Sequence, residues 1–415
     1  VPAARKIFNR STLSRLDTRP FVEAQPIWAE LFTGTPWYEN GCSSYGEPVD
    51  SLNRLEVFSE ALLSQPVTLL KNQATTVCVN VPLLLPLERT WIADGSLPIL
   101  STFSPKDVGQ FFSNQQRPRP YASLAAAMKD RYESAAQLIS CEIERLDATT
   151  RILREREWHE AIVRLSAFDQ LQHLFGVNAL FDDQLVVHEN ITHLLAALDN
   201  MLHAASEAGC DVACISAHSH AGCRARFNVN LLLRDHDYLE VSSSVDSSNS
   251  RSQALALIAG APPSAVSLGA TGGKLSPQTK AACPAGCGVY INTSSSFKNG
   301  QVSDAAAAVL SKELQSLLEE KLYYYFGGRG SVHAKRSTAK TKHPTPEFVL
   351  YVPDVEFYDG SEAILDNFNK PLVCHRDEGF LAIDSIASDS ETLTTVEANR
   401  RLRAIGFGGA IDGCR

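Results

Sequence analysis

Residues 210–223, CDVACISAHSHAGC, set Cys210, Cys214, His218, His220 and Cys223 within fourteen positions, and CPAGC adds Cys283 and Cys287 further on. Thiolates and neutral imidazoles are the side chains that hold zinc, four of them in a structural site and three with a water in a catalytic one. The spacing, C-x3-C-x3-H-x-H-x2-C, fits none of the C-x2-C pairings of zinc fingers. The simpler expectation is separate buried thiols beside a polar turn and no cofactor, with zinc on Cys210, Cys214, His218, His220 and Cys223 as the alternative. A second chemistry lies in the same residues. CDVACISA reads as a short buried strand, and an H-x-H at its end turns both imidazoles the same way, as a metal-dependent hydrolase would need. Further ligands and a base are then required. Asp235, His236, Asp237, His333 and His375 are available, although no spacing selects them.

Two other segments have the residue types for chemistry. GATGGK, residues 269–274, invites a phosphate-loop reading but has Leu268 in the place of the first glycine and Leu275 where Ser or Thr would hold magnesium. It predicts a glycine turn. In LYYYFGGRGSVHAKRSTAKTKHPTP, the aromatic run Tyr323, Tyr324, Tyr325 and Phe326 leads into Arg329, Lys335, Arg336, Lys340 and Lys342, with no acid before Glu347. Cations beside aromatic rings pair with phosphates and stack bases, so these five are the candidate contacts to RNA or DNA, against the simpler reading of a solvated loop.

The elements that must position these residues follow from periodicity. Leu52, Leu55, Phe58 and Leu62 predict a helix in SLNRLEVFSEALLSQ, and TTVCVNV from Thr75 a strand. From Ser123 to Phe175 an apolar stripe through Leu138, Ile139, Leu146, Leu153, Leu165, Phe168 and Leu171 predicts one long helix or two, broken near Asp147 to Thr150 and capped at Gly176. A further helix is expected from about Asn190 to Ala208. ARFNVNLLL alternates like a strand, with DYLEVSSSV as its partner. Ser303 opens another helix, stopped at Gly327 and Gly328. Strands are expected at 348–352 and 380–386, then a helix over 390–405 with a capping box from Ser388 to Glu391.

Helices and strands interleave without a regular βαβ period, which predicts an α+β class: several long helices, short and mostly antiparallel strands, irregular Pro-rich connectors. The texture divides the chain into a turn-rich region over 1–120, a helical region over 121–209 and a mixed region over 210–415. The composition, 44% hydrophobic and 20% charged, is that of a globular protein, and the net charge of −9 argues against binding nucleic acid with the whole surface. No window holds the roughly 18 apolar residues of a membrane span. Ten scattered cysteines suit an intracellular setting: the cytoplasm, a viral particle or an organelle. With no familiar catalytic motif, the leading expectation is a non-catalytic structural or interaction subunit of a large assembly, a virus-type capsid or ribonucleoprotein particle, whose partners are other protein subunits. The alternative is a metal-dependent hydrolase using His218 and His220.

Overall fold

The computed structural model describes residues 2, 12–21, 23–44, 46–48, 50–52, 55–57, 63–69, 76–81, 90–93, 103–104, 130–176, 188–244, 273–284, 287–336, 340–357, 363–383, 392–405 and 407. In chain order the first half holds β1 (Thr12–Asp17), α1 (Ala24–Thr33), α2 (Trp37–Asn40), β2 (Gly46–Pro48), β3 (Leu55–Val57), β4 (Thr76–Val79), β5 (Thr90–Ala93), β6 (Phe103–Ser104), α3 (Arg131–Glu155), β7 (Glu160–Val163), α4 (Ala167–Phe175) and α5 (His188–Glu207). There follow β8 (Ala213–Ser216), β9 (Ser219–Phe227), α6 (Val229–Asp235), β10 (Val241–Ser244), β11 (Gly273–Leu275), β12 (Ala281–Ala282), β13 (Gly288–Ile291) and α7 (Asp304–Phe326). The chain continues with β14 (Ser331–Ala334), β15 (Phe348–Tyr351), β16 (Val355–Phe357), β17 (Leu365–Arg376), β18 (Glu378–Ile383), β19 (Thr392–Thr394) and α8 (Thr395–Ala404). This is the expected α+β class. The fold divides into two compact units, one of Val1–Asp17, Val67–His220 and Glu378–Arg415, the other of Thr18–Pro66 and Ala221–Asp377.

The first unit has two sheets. In one, β1 lies antiparallel to β18, which in turn pairs antiparallel with β8, while β19 adds parallel to β1. In the other, β4 runs parallel to both β5 and β7, and β6 closes the edge antiparallel to β5. The core is helical. Ala135, Ile139, Leu146 and Leu153 of α3 recur along one face and meet Leu171 and Leu174 of α4 and Ile191, Leu194, Ala197 and Met201 of α5. Each large apolar side chain enclosed this way contributes about 1.5–3 kcal/mol.

The expected break at Asp147 to Thr150 does not occur: α3 runs through it. Thr149 and Thr150 donate their hydroxyls to the carbonyls of Arg145 and Leu146, both at 2.7 Å, so they satisfy themselves inside the helix. Ala148 and Ile152 pack on Val77 and Val79 of β4, which holds the segment against the sheet. The helix ends at Glu155, and β7 intervenes before α4 begins.

In the second unit β12, β13, β15 and β14 form one sheet and β16, β9 and β17 another, with β10–β11 and β2–β3 as two-stranded ribbons. Along α7, Leu310, Leu314, Leu318, Leu322 and Phe326 make a buried stripe, with Ser303 as N-cap and Gly327 in the left-handed region as C-cap. Three expectations fail here. The helix expected over 51–65 is a strand at Leu55–Val57, and residues 58–62 lie outside the described residues. The alternation in ARFNVNLLL ends at Phe227, because the Asn228 side chain caps α6 by accepting from Leu231 N at 3.0 Å. DYLEVSSSV accordingly pairs with β11 rather than with that segment. In the first unit, a capping box is at Thr394 and Glu397, and the one expected from Ser388 to Glu391 lies outside the described residues.

Candidate metal centre

The centre is assembled on the parallel sheet of the first unit. At the carboxyl ends of β4 and β7, Arg164 N donates to Val79 O at 3.0 Å, and after Ser166 the chain enters α4. Openings at the carboxyl ends of parallel strands are the usual place for a site in an α/β arrangement. Ala167, Leu171 and Leu174 turn one face of α4 into the core. Asp169 and His173, four residues apart, therefore share another face one turn apart. Both side chains remain about a quarter exposed, at 27% and 26%.

The third side chain arrives from β8 and β9. At Gly379 in β18, a Cβ would lie 2.0 Å from Ser216 O, so only glycine lets β18 pass the end of β8. Ser216 Oγ then donates to His218 O at 2.7 Å, tightening the turn that leads into His220. The result is a convergence. His220 Nε2 and Asp169 Oδ1 are 2.9 Å apart, and His173 Nε2 is 3.6 Å from the same oxygen. Asp169, His173 and His220 bring ligand atoms within 4.8 Å of one another. The His220 ring meets the His173 ring edge-on at 5.1 Å between centroids and the His218 ring at 5.4 Å. His220 is 5% exposed, the most buried of the three.

The donor chemistry fits a divalent transition metal. Two imidazoles and one carboxylate are the protein ligands of a catalytic zinc site that keeps a position for water. Bonds of about 2.0–2.1 Å in a tetrahedron place ligand atoms roughly 3.3 Å apart, and the 2.9 and 3.6 Å spacings to Asp169 lie within about half an ångström of that.

Of the predicted ligands, the structure brings His220 into this set and His218 beside it. The cysteines stand apart from it among the described residues. Cys210 follows α5 with Sγ toward Ala208 O at 3.9 Å, and Cys214 lies in β8 opposite Ala382. Burial pushes both thiols up from their ordinary value, which keeps them protonated and poor metal ligands. Cys223 belongs to the second unit, where its Sγ faces Ala225 O at 3.3 Å and its thiol hydrogen-bonds with Cys374. Cys283 and Cys287 are buried in that same unit. The expectation of no cofactor thus gives way to a His/Asp set able to hold a metal.

Sequence reasoning missed Asp169 and His173. Both lie inside the apolar stripe of 123–175, whose periodicity is carried by its hydrophobic positions alone. The available signal was D-x3-H on the helix face opposite Leu171 and Leu174.

The basic segment lies in the second unit. Arg329 Nε donates to Phe326 O at 3.3 Å, and the Lys335 ammonium is lowered by burial. Arg336, Lys340 and Lys342 are exposed, as are Tyr323 and Tyr324, while residues 337–339 lie outside the described residues. Residues 269–272 of the glycine segment also lie outside them, and Lys274 is in β11.

No protein-family model matches the chain, and no curated protein sequence does. In fold the chain is similar to crystal structures of phosphonoacetate hydrolase from Sinorhizobium meliloti 1021. The structure with phosphonoacetate gives a TM-score of 0.56 at 14% identity over 97% of this chain and 89% of that one. The structure with phosphonoformate gives 0.54 at 12% identity over the same shares. Murine ectonucleotide pyrophosphatase / phosphodiesterase 5 aligns over 97% of this chain and 89% of its own at 11% identity, with a TM-score of 0.45, too low to carry weight. At such identities the likeness establishes a shared fold. Together with the Asp169, His173 and His220 convergence, it corrects the expectation of a non-catalytic capsid, virion or assembly subunit. The physical reason is that the chain lacks short linear motifs, whereas its site is built by tertiary contact. Among the described residues no helix is long and apolar enough to cross a membrane.

Proposed function

We propose that this chain is a metal-dependent hydrolase of phosphorus compounds, phosphoesters or phosphonates, with zinc held by Asp169, His173 and His220. The observation that carries this reading is the convergence of those three side chains from α4 and β9. The phosphorus chemistry is supported by the fold shared with phosphonoacetate hydrolase. When bound, the metal would supply Lewis acidity and a nucleophilic water at neutral pH. The chain's residues do the rest. Asp169 contributes the one negative charge of the set, so a bound divalent cation retains net positive charge toward an anionic substrate. The buried His220 and the packed α4 hold the donors from two sides, while the exposed edges of Asp169 and His173 leave an approach for substrate.

The test is metal content together with hydrolysis. Purified protein supplied with zinc should hold it stoichiometrically and cleave bis(p-nitrophenyl) phosphate, p-nitrophenyl phosphate or phosphonoacetate, and Asp169→Ala should lose both properties. A protein that binds no zinc, manganese or cobalt and cleaves none of the three would overturn the reading.

A further inference from the structure

We infer that Glu142, on a different helix from any ligand, is a positioning residue that sets the metal centre by fixing the start of α4. The inference rests on the metal reading above. Glu142 is 1% exposed in the middle of α3. Its Oε2 accepts from Ser166 N at 3.2 Å, Ser166 Oγ at 3.1 Å and Ala167 N at 3.1 Å. Arg145 Nη1, one turn along α3, comes within 3.3 Å of the same oxygen.

A helix leaves its first N–H groups without intrahelical partners, and the N-cap side chain ordinarily answers one of them. Ser166 is the N-cap of α4, yet its hydroxyl makes no capping bond. That hydroxyl points to Glu142 and also receives Asn80 Nδ2 at 3.2 Å, and Asn80 Nδ2 lies 3.1 Å from Arg164 O. The cap of α4 is therefore supplied from another helix, and the loop before it is tied to the end of β4. Burying a carboxylate is costly, and within α3 this one meets only Arg145, while its other donors all belong to the start of α4. A negative charge at a helix N-terminus also meets the positive end of the helix dipole.

The lever arm explains why this matters. From Ala167 to His173 is about 9 Å at 1.5 Å per residue. A tilt of roughly 5° about the helix start would move His173 by on the order of 0.8 Å, well beyond the ~0.2 Å tolerance of metal–ligand distances. Groups that orient ligands without touching the metal typically govern affinity by about 10- to 100-fold.

The experiment is cobalt titration of the full chain, followed by the visible d–d absorption band and by calorimetry, for wild type, Glu142→Gln, Ser166→Ala and Asp169→Ala. Glu142→Gln is expected to weaken cobalt binding about tenfold and shift the band, because the ligand geometry changes. Ser166→Ala, a mild change that keeps the fold if Glu142→Gln does not, is expected to weaken binding about threefold, below the typical range for the whole orienting group. A merely structural role would lower the unfolding midpoint while leaving the band shape intact. If Asp169→Ala abolishes binding but both other variants match wild type in affinity and spectrum, the positioning role is wrong and the metal reading stands. If Asp169→Ala binds cobalt like wild type, the metal reading itself fails.

Discussion

The two units each gather a carboxylate with polar partners, and they do so in opposite ways. In the first, Asp169 is a quarter exposed and has the ring nitrogens of His220 and His173 at 2.9 and 3.6 Å from one carboxylate oxygen. In the second, Glu47 is wholly enclosed. Its Oε1 accepts from Ser43 N at 2.5 Å, Ser43 Oγ at 2.8 Å and Ser44 N at 2.9 Å, and Tyr290 OH donates to Oε2. Burial pushes the Glu47 carboxyl up to about 7 and the Tyr290 hydroxyl well above its ordinary value. A carboxylate ringed by donors completes its own network and holds the fold. A carboxylate beside two imidazoles, partly exposed to solvent, offers the donor types that a metal ion takes. Titratable residues alone do not mark a site; what faces them does.

The sharpest way to break this comparison is to neutralise each carboxylate. Asp169→Asn is expected to reduce zinc affinity by at least about 100-fold, beyond the range typical of residues that only orient ligands. Because Asp169 is partly exposed, the urea midpoint of the apo protein should hardly change. Calorimetric zinc titration beside a denaturation curve reads both, and a normal zinc isotherm would remove the distinction between the two regions.

Glu47→Gln should do the reverse. The folded value of about 7 lies above the ordinary 4.5, so the folded state holds this proton more tightly than the unfolded chain does. The stability this contributes is fully present below pH 4.5 and is lost as pH rises through 7. At 1.36 kcal/mol per unit, the loss by pH 8.5 is on the order of 3 kcal/mol. The glutamine variant should lack that decline between pH 5.5 and 8.5 in chemical denaturation and keep its zinc affinity. An unchanged pH slope would show that Glu47 ionises freely.

Gly379→Ala should cost about 1–3 kcal/mol, the usual range for forcing atoms into a packed place. The contact it would strain is the backbone beside Ser216, so weaker zinc binding should accompany the lower unfolding midpoint. Loss of stability with intact zinc binding would separate β18 from the placement of His220.

Much of the frame was legible in the sequence because it is written in local terms. The stripe of α7 and its Ser303 and Gly327 ends, the extent of α5, the Gly176 cap and the β4 strand all follow from spacing and capping chemistry. A short strand ahead of the H-x-H was legible for the same reason, although β8 is half-buried rather than buried and His220 lies in β9. The rest of the site was not, because its completion is tertiary. His220 lies 51 positions from Asp169, and no periodicity relates them. Cysteine density is no guide to the site: Cys210 and Cys214 are half-buried, Cys223, Cys283 and Cys287 are buried, and none joins the His/Asp set among the described residues. Local alternation also misled at ARFNVNLLL, where one Asn side chain capping α6 outweighs the pattern.

The smallest expected effect tests whether a remote cap differs from a local one. At the start of α7, Ser303 Oγ accepts from Ala306 N at 3.3 Å, an exposed cap that serves only its own helix. Ser303→Ala should cost about 0.5–1 kcal/mol, the lower part of the usual range for an N-cap. The first unit contains every proposed ligand, and Ser303 belongs to the second. Cobalt affinity and the d–d band should therefore stay at the wild-type values, whereas Ser166→Ala, a substitution of the same chemistry at the start of α4, is expected to move both. Two serine-to-alanine changes at two helix starts thus predict one stability loss without a metal effect and one metal effect tied to a ligand-bearing helix. If Ser303→Ala weakened cobalt binding as much as Ser166→Ala, the effect would reflect general destabilisation, and the contrast between the two helix starts would collapse.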